Sequence, residues 1–221
     1  MTDAHCHVAS GEGRHLLCSP FGSEPKDGDV VFFGWHPWYL DGFAAAGLRA
    51  ALAANPNAGV GEIGLDRLKD RTVSPAMRAA FEDQLRIAAE FRRPVVLHGA
   101  KCWGEVVKTI DRLFPRGTCP IPSFLFHGFS RSDGLLPDIA ALNGFVSVGP
   151  AILNDHAVNY RDLVKKVPAD RLLVESDRTP ENADEVPSVA EMATKLAELR
   201  GVSPDDLAAQ LERNVSSFLQ L

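Results

Sequence analysis

The 221-residue chain has no apolar run near the roughly 20 residues needed to cross a bilayer, and residues 1–30 hold no signal-peptide core. Neither a membrane role nor export is expected, and the chain reads as cytoplasmic. No C-x-x-C pair occurs either. Cys6, Cys18, Cys102 and Cys119 are scattered, which argues against a zinc knot or a disulfide framework and for free thiols. Basic charge is not in excess: the formal net charge of -6 excludes a surface dedicated to coating nucleic acid, though not an enzyme that grips it at one local site. Internal repeats, low-complexity tracts and dividing linkers are also missing, so one domain over residues 1–221 is expected, and 45% hydrophobic residues suffice for a real core.

Gly and Pro punctuate the chain at short intervals. Between them lie apolar runs rich in Val, Leu, Ile and Phe, which predict strands near Thr2–His5, His15–Ser19, Val30–Trp35, Ala58–Gly61, Val95–His98, Ser123–His127, Gly144–Val148 and Leu172–Glu175. Several are almost continuously apolar, as parallel strands covered on both faces should be. Helical segments alternate with them. Ser74-Pro75 opens one, with Met77, Phe81, Leu85 and Ala88 on a stripe that stops before Pro94. Others are expected near Gly104–Leu113, Asp133–Leu142, His156–Val167 and Val186–Arg200, and a last one starts at Ser203-Pro204. Eight alternations predict an α/β fold, a distorted (β/α)8 TIM barrel whose first two helices are short or missing because little chain separates Val8 from Val30. An open doubly wound sheet is the alternative.

Barrel enzymes build their sites on the carboxyl ends of the strands. His5 and His7 end the first, one residue apart and so on one face, with Cys6 opposite. His36 follows the third, Glu62 the fourth, His98 closes the fifth, His127 the sixth, and Glu175 and Asp177 the eighth, two apart and hence expected on one face. His15, at a strand start, and His156, in a helix, are expected to play polar surface roles. Imidazoles and carboxylates converging on one rim suit one or two divalent ions of zinc, magnesium or manganese type.

The stretches Asp3-Ala4-His5-Cys6-His7, Gly34-Trp35-His36-Pro37, Gly61-Glu62-Ile63-Gly64-Leu65-Asp66, Pro94–His98, His127-Gly128-Phe129-Ser130 and Glu175-Ser176-Asp177 resemble, in order and spacing, the TatD-type metal-dependent hydrolases. These are amidohydrolase-like barrels, many described as deoxyribonucleases. The resemblance extends to "FEDQLRIAAEFRRPVVLH" and "LERNVSSFL". It implies that His5, His7, Glu62 and Asp177 hold one metal and that Glu62 bridges to a second held by His98 and His127. It also points to Asp177 as proton acceptor from a metal-activated water. Three stretches depart from the family pattern: Ala100, beside Lys101, where an Arg is usual; His127-Gly128-Phe129-Ser130-Arg131 where HCFSG is usual; and Arg178-Thr179 where Ala-Pro usually follows the aspartate.

Metal-assisted hydrolysis of a phosphodiester, from a DNA end, is the leading expectation. His36 is a candidate donor to the scissile phosphate or general acid, or a structural loop residue. Glu175 either orients a ligand histidine or pairs with a buried charge. Lys101, Arg131, Arg178 and Arg67, just beyond strand ends, are candidates to neutralise phosphate oxygens. The alternatives are a hydrolase of a small ester, amide or phosphoester, and a non-catalytic metal-binding scaffold. A monomer is expected.

Overall fold

In the computed structural model, which describes residues 1–18, 25–115, 122–130 and 133–220, each of the eight expected runs forms a strand. They are β1 (Thr2–Cys6), β2 (Arg14–Cys18), β3 (Val30–Phe33), β4 (Gly59–Asp66), β5 (Val95–Ala100), β6 (Phe124–Phe126), β7 (Gly144–Val148) and β8 (Leu172–Val174). All neighbours pair in parallel in the order β1 to β8, which rules out the doubly wound alternative. The last seam closes without a ladder. The Asp177 amide donates to the His5 carbonyl at 3.0 Å, and the amides of His7 and Val8 donate to the Arg178 carbonyl at 2.8 and 3.1 Å.

Alternation along the strands divides the barrel into layers. Leu16, Phe32, Val96, Leu125, Phe145 and Leu173 are buried together, with Phe218 packed among them. The Phe218 ring stacks 6.1 Å from Phe32 and meets Phe145 edge-on at 5.7 Å. Two residues further along four of these strands stand His98, His127, Ser147 and Glu175. The period of two therefore puts an apolar plug at one end and polar chemistry at the other.

Among the described residues there are seven α-helices: α1 (Ala45–Ala54), α2 (Pro75–Phe91), α3 (Trp103–Leu113), α4 (Leu136–Ala141, preceded by a 3-10 turn), α5 (Val158–Lys166), α6 (Val189–Arg200) and α7 (Pro204–Leu219). The Ser74 hydroxyl caps α2 by accepting from the Met77 amide, with Pro75 at the first helical position. In α7, Asn214 donates to the carbonyls of Ala169 and Leu172 at 2.8 and 2.7 Å, so the "LERNVSSFL" segment is tied to the start of β8. Glu212 grips β1, accepting from the Thr2 amide and hydroxyl at 2.6 and 2.8 Å. Helix α1 lies where no helix was expected. Its N-cap is Ala44 with no side-chain cap, and only Leu48 and Leu52 are buried.

Among the described residues no helix separates β1, β2 and β3. A polar network fastens this corner instead. His15 is buried, not on the surface as expected: its Nδ1 lies 2.8 Å from Asp29 Oδ1 and its Nε2 2.8 Å from the Ser10 hydroxyl. The amides of His15 and Lys26 also donate to the Asp29 carboxylate, at 2.8 and 2.9 Å. His156 is exposed as expected, though just ahead of α5 and not within it. The expected end of β4 at Gly61 is also corrected. The strand runs on to Asp66 through a register irregularity between Val60 and Ile63.

Candidate metal centre

Glu62 lies inside β4, not after it, buried at the middle of the carboxyl end of the barrel. Its Oε1 is 2.7 Å from His98 Nδ1 and 2.6 Å from His127 Nε2, and its Oε2 is 3.2 Å from His7 Nε2 and 3.6 Å from His5 Nε2. Asp177 stands over the His5–His7 side, with Oδ1 3.4 Å from His5 Nε2 and 3.9 Å from His7 Nε2. Three donor groups result, each with ligand atoms within 4.8 Å of one another: His5, His7 and Asp177; His5, Glu62 and His127; His36, Glu62 and His98. All six residues expected as metal ligands are thus brought together, and His36 joins them.

The backbone explains why these side chains meet. Gly64 has φ +157°, and a Cβ there would lie 1.9 Å from the His98 carbonyl oxygen, so β4 can approach β5 this closely only with glycine. Strand β8 ends at Val174, so the simple alternation expected for Glu175 and Asp177 does not hold. Asp3 takes the Ser176 amide and hydroxyl at 2.9 and 2.5 Å, and Asp177 turns into the left-handed region at φ +49°. The Asp177 side chain is left 49% exposed at the rim, while Glu175 is buried. Glu175 accepts the Gly128 amide at 2.7 Å and the Ser147 hydroxyl, and its Oε1 is 3.7 Å from His127 Nδ1.

Two supporting residues carried no role in the sequence reading. Asp66 Oδ2 lies 2.7 Å from His98 Nε2, while Asp66 Oδ1 takes the amides of Leu68 and Lys69 at 2.6 and 3.1 Å. His98 therefore gives Nε2–H to Asp66 and presents Nδ1 to the site. The signal was its place closing "GEIGLD", an even four residues after Glu62. Gln84, buried in α2, brackets the His36 loop: Oε1 accepts the Trp35 amide at 2.7 Å and Nε2 donates to the Trp35 carbonyl at 3.2 Å.

Charge is balanced within the cluster. Burial alone would raise the Glu62 carboxyl, but the charge of His127 and the hydrogen bonds of His127, His7 and His98 hold it well below its ordinary range. Burial opposes protonation of His127, yet Glu62 and Glu175 push that imidazole upward. Asp66 is held at about 2, because His98 and two amides outweigh its desolvation. His36 goes the other way: burial and its imidazole neighbours bring it down to about 4 against the pull of Glu62.

The donor set fits a divalent cation. His5 Nε2, buried and facing both Glu62 and Asp177, has no hydrogen-bond partner. Such atoms cost stability unless something satisfies them, and an imidazole nitrogen is a good ligand for a borderline metal.

The family profile described as "TatD related DNase" matches residues 23–220. The chain belongs to that family. The chain is 29% identical to "Uncharacterized metal-dependent hydrolase YjjV" of Escherichia coli K12, over 85% of this chain and 75% of that one. It is 27% identical to "3'-5' ssDNA/RNA exonuclease TatD" of Erwinia tasmaniensis, over 85% of this chain and 77% of that one. The crystal structure of the Escherichia coli TatD homologue YjjV superposes with a TM-score of 0.84 at 24% identity, covering 100% and 98% of the two chains. Like its TatD relatives, the chain is a metal-dependent hydrolase. No helix among its described residues is long and apolar enough to cross a membrane.

The four cations expected at the rim have different surroundings. Lys101 is exposed at the turn after β5, where Ala100 ends the strand. Arg67 pairs with Glu105 at 2.5 Å. The Arg178 guanidinium turns back onto the carbonyls of Ala183 and Val186. Arg131 lies outside the described residues.

Proposed function

We propose that this TatD-family chain is a divalent-metal-dependent phosphodiesterase that removes nucleotides from a DNA end, acting as a single-domain, cytoplasmic monomer with one or two ions of zinc, magnesium or manganese. The observation that carries the reading is the division of the Glu62 oxygens, Oε1 toward His98 and His127 and Oε2 toward His5 and His7. In this reading Glu62 is a shared ligand: His5, His7 and Asp177 complete one site, and His98 and His127 a second. Metal held by these residues would supply a water of lowered pKa and polarisation of the phosphoryl oxygen under attack. The described cysteines Cys6, Cys18 and Cys102 are free thiols, which suits a reducing compartment.

The chain's own groups divide the remaining work. Asp177 is accessible at the rim. Desolvation raises its carboxyl, but the neighbouring His5 imidazole and the charge of His127 keep it below its ordinary value, so it stays ionised and can take the proton of the attacking water at Oδ1. His36 accepts the Trp38 amide at Nδ1, 3.1 Å away, and so carries its hydrogen on Nε2. As a neutral donor it offers that N–H to a phosphate oxygen. Asp66 holds the ring of His98 in orientation by a hydrogen bond, and the Glu175 carboxylate faces His127 Nδ1 from 3.7 Å.

A second reading, hydrolysis of a small ester, amide or phosphoester, draws support from the engagement of Arg67 and Arg178 away from the mouth. One experiment separates the two. End-labelled single-stranded oligonucleotide is incubated with each metal in turn, beside a panel of small esters. The nuclease reading expects mononucleotide release that falls roughly 10²–10⁴-fold in Asp177→Asn, the range for loss of a general base. Activity confined to the small esters, and lost in the same variant, replaces that reading with the second.

A further inference from the structure

A cavity of about 470 Å³ opens beside the metal centre between the loop after β3 and the chain after β8. Its walls include His7, His36, Glu62, Trp38, Tyr39 and Glu181. The volume is many times the roughly 30 Å³ share of one water and falls in the range of small-ligand sites. Trp38 and Tyr39 are 41% and 54% exposed, and among the described residues they are the only aromatic side chains left so open. Adjacent exposed aromatics on the lip of a catalytic cavity are a costly use of apolar surface unless a ligand covers them.

The platform is fixed in advance. Gln84 clamps Trp35 from both sides, Pro37 is buried, the Trp38 amide donates to His36 Nδ1, and the Tyr39 amide donates to the His36 carbonyl at 2.9 Å. The Trp38 ring centroid stands 5.0 Å from that of His36 and 6.2 Å from that of His98. A planar group lying against Trp38 is therefore one residue-length from the ligand cluster. The charge pattern selects the kind of group. Among the described residues no Lys or Arg lines this cavity, and Glu181 does, so the wall away from the Glu62 cluster suits a neutral ring better than a phosphate.

We infer that the Trp38–Tyr39 cavity is a nucleobase subsite, in which the terminal base of a single strand stacks on Trp38 while its phosphate reaches the Glu62 cluster. The assignment of the ligand as a base rests on the phosphodiesterase reading above. Stacking on an aromatic side chain suits every base and requires no sequence preference.

Tryptophan fluorescence tests the subsite without catalysis, because Trp103 is buried, Trp35 is partly covered and Trp38 is open. Adenosine 5'-monophosphate is titrated into the purified enzyme, with ribose 5-phosphate as the probe lacking a base. The expected result is saturable quenching by the nucleotide and little by the sugar phosphate. Calorimetric titration of Trp38→Ala should show nucleotide binding weakened roughly 5- to 100-fold, with Trp38→Phe recovering much of it. In the companion assay, oligonucleotides ending in a normal or an abasic residue are compared. The enzyme should prefer the base-bearing end through KM, and Trp38→Ala should lose that preference. Equal binding of the nucleotide to Trp38→Ala and wild type, or equal affinity for ribose 5-phosphate, overturns the subsite, even if DNA is degraded. Base-dependent binding through Trp38 without any DNA hydrolysis would uphold the subsite and remove the nuclease reading instead.

Discussion

His98 is held from two sides, with Nε2 on Asp66 and Nδ1 facing Glu62, and this fixes which nitrogen the site receives. Asp66→Ala removes that hold without touching a candidate ligand. Partners of this kind typically contribute 10- to 100-fold in metal affinity, so Asp66→Ala should weaken metal binding by about that factor, with Asp66→Asn intermediate. Competition with a chelating dye measures it, and an unchanged affinity would deny Asp66 the role. Five of the candidate ligands were legible in the sequence because they stand at or near a strand end beside an apolar run; Glu62, inside β4, was legible only because the expected strand stopped at Gly61. Asp66 and Gln84 were quoted within motifs but given no work. Their roles depend on contacts across elements, to His98 on β5 and to Trp35 after β3, and no local pattern encodes those.

At the scale of elements, the sequence marked eight strands through apolar runs, and it marked α2 and α7 through Ser-Pro starts. It hid two features. Gly59, Gly61 and Gly64 made β4 look like a short strand followed by a turn, whereas Gly61 and Gly64 allow close approach to β5 and Gly59 makes room for Phe32 of β3. Helix α1 lacks a cap and carries Gly47 inside it, so its apolar positions gave no clear stripe. The β1–β3 corner, where no helix occurs among the described residues, depends on Asp29 and His15. Burial would raise the Asp29 carboxyl, but the amide of Lys26 and the ring and amide of His15 lower it. A lowered carboxyl contributes stability that is complete above its unfolded value near 3.9 and is lost as pH falls through the folded value. Asp29→Asn should therefore cost on the order of 1–2 kcal/mol at pH 6, with the difference shrinking below about pH 4. Thermal melts of both proteins from pH 6 to pH 3 check this, and a difference that grows toward acid would contradict it.

Across the whole molecule, a single alternation rule sorts the barrel into an apolar plug around Phe218 and a polar end around Glu62. The trimmed first crossovers leave β1 fastened by α7 through Glu212 and by the backbone seam to Asp177 and Arg178. The His5–His7 strand is thus tied at both ends, and its two imidazoles stand ready beside Glu62. The central claim is that Glu62 is shared by every ion the enzyme holds. Chelator-stripped protein can be titrated with Mn²⁺ or Zn²⁺ and the bound ions counted by elemental mass spectrometry, for wild type, Glu62→Ala and His98→Ala. Glu62→Ala should weaken binding of all the ions that wild type binds, while His98→Ala should spare those held on the His5–His7 side. A Glu62→Ala protein that binds the wild-type number of ions with wild-type affinity would contradict it.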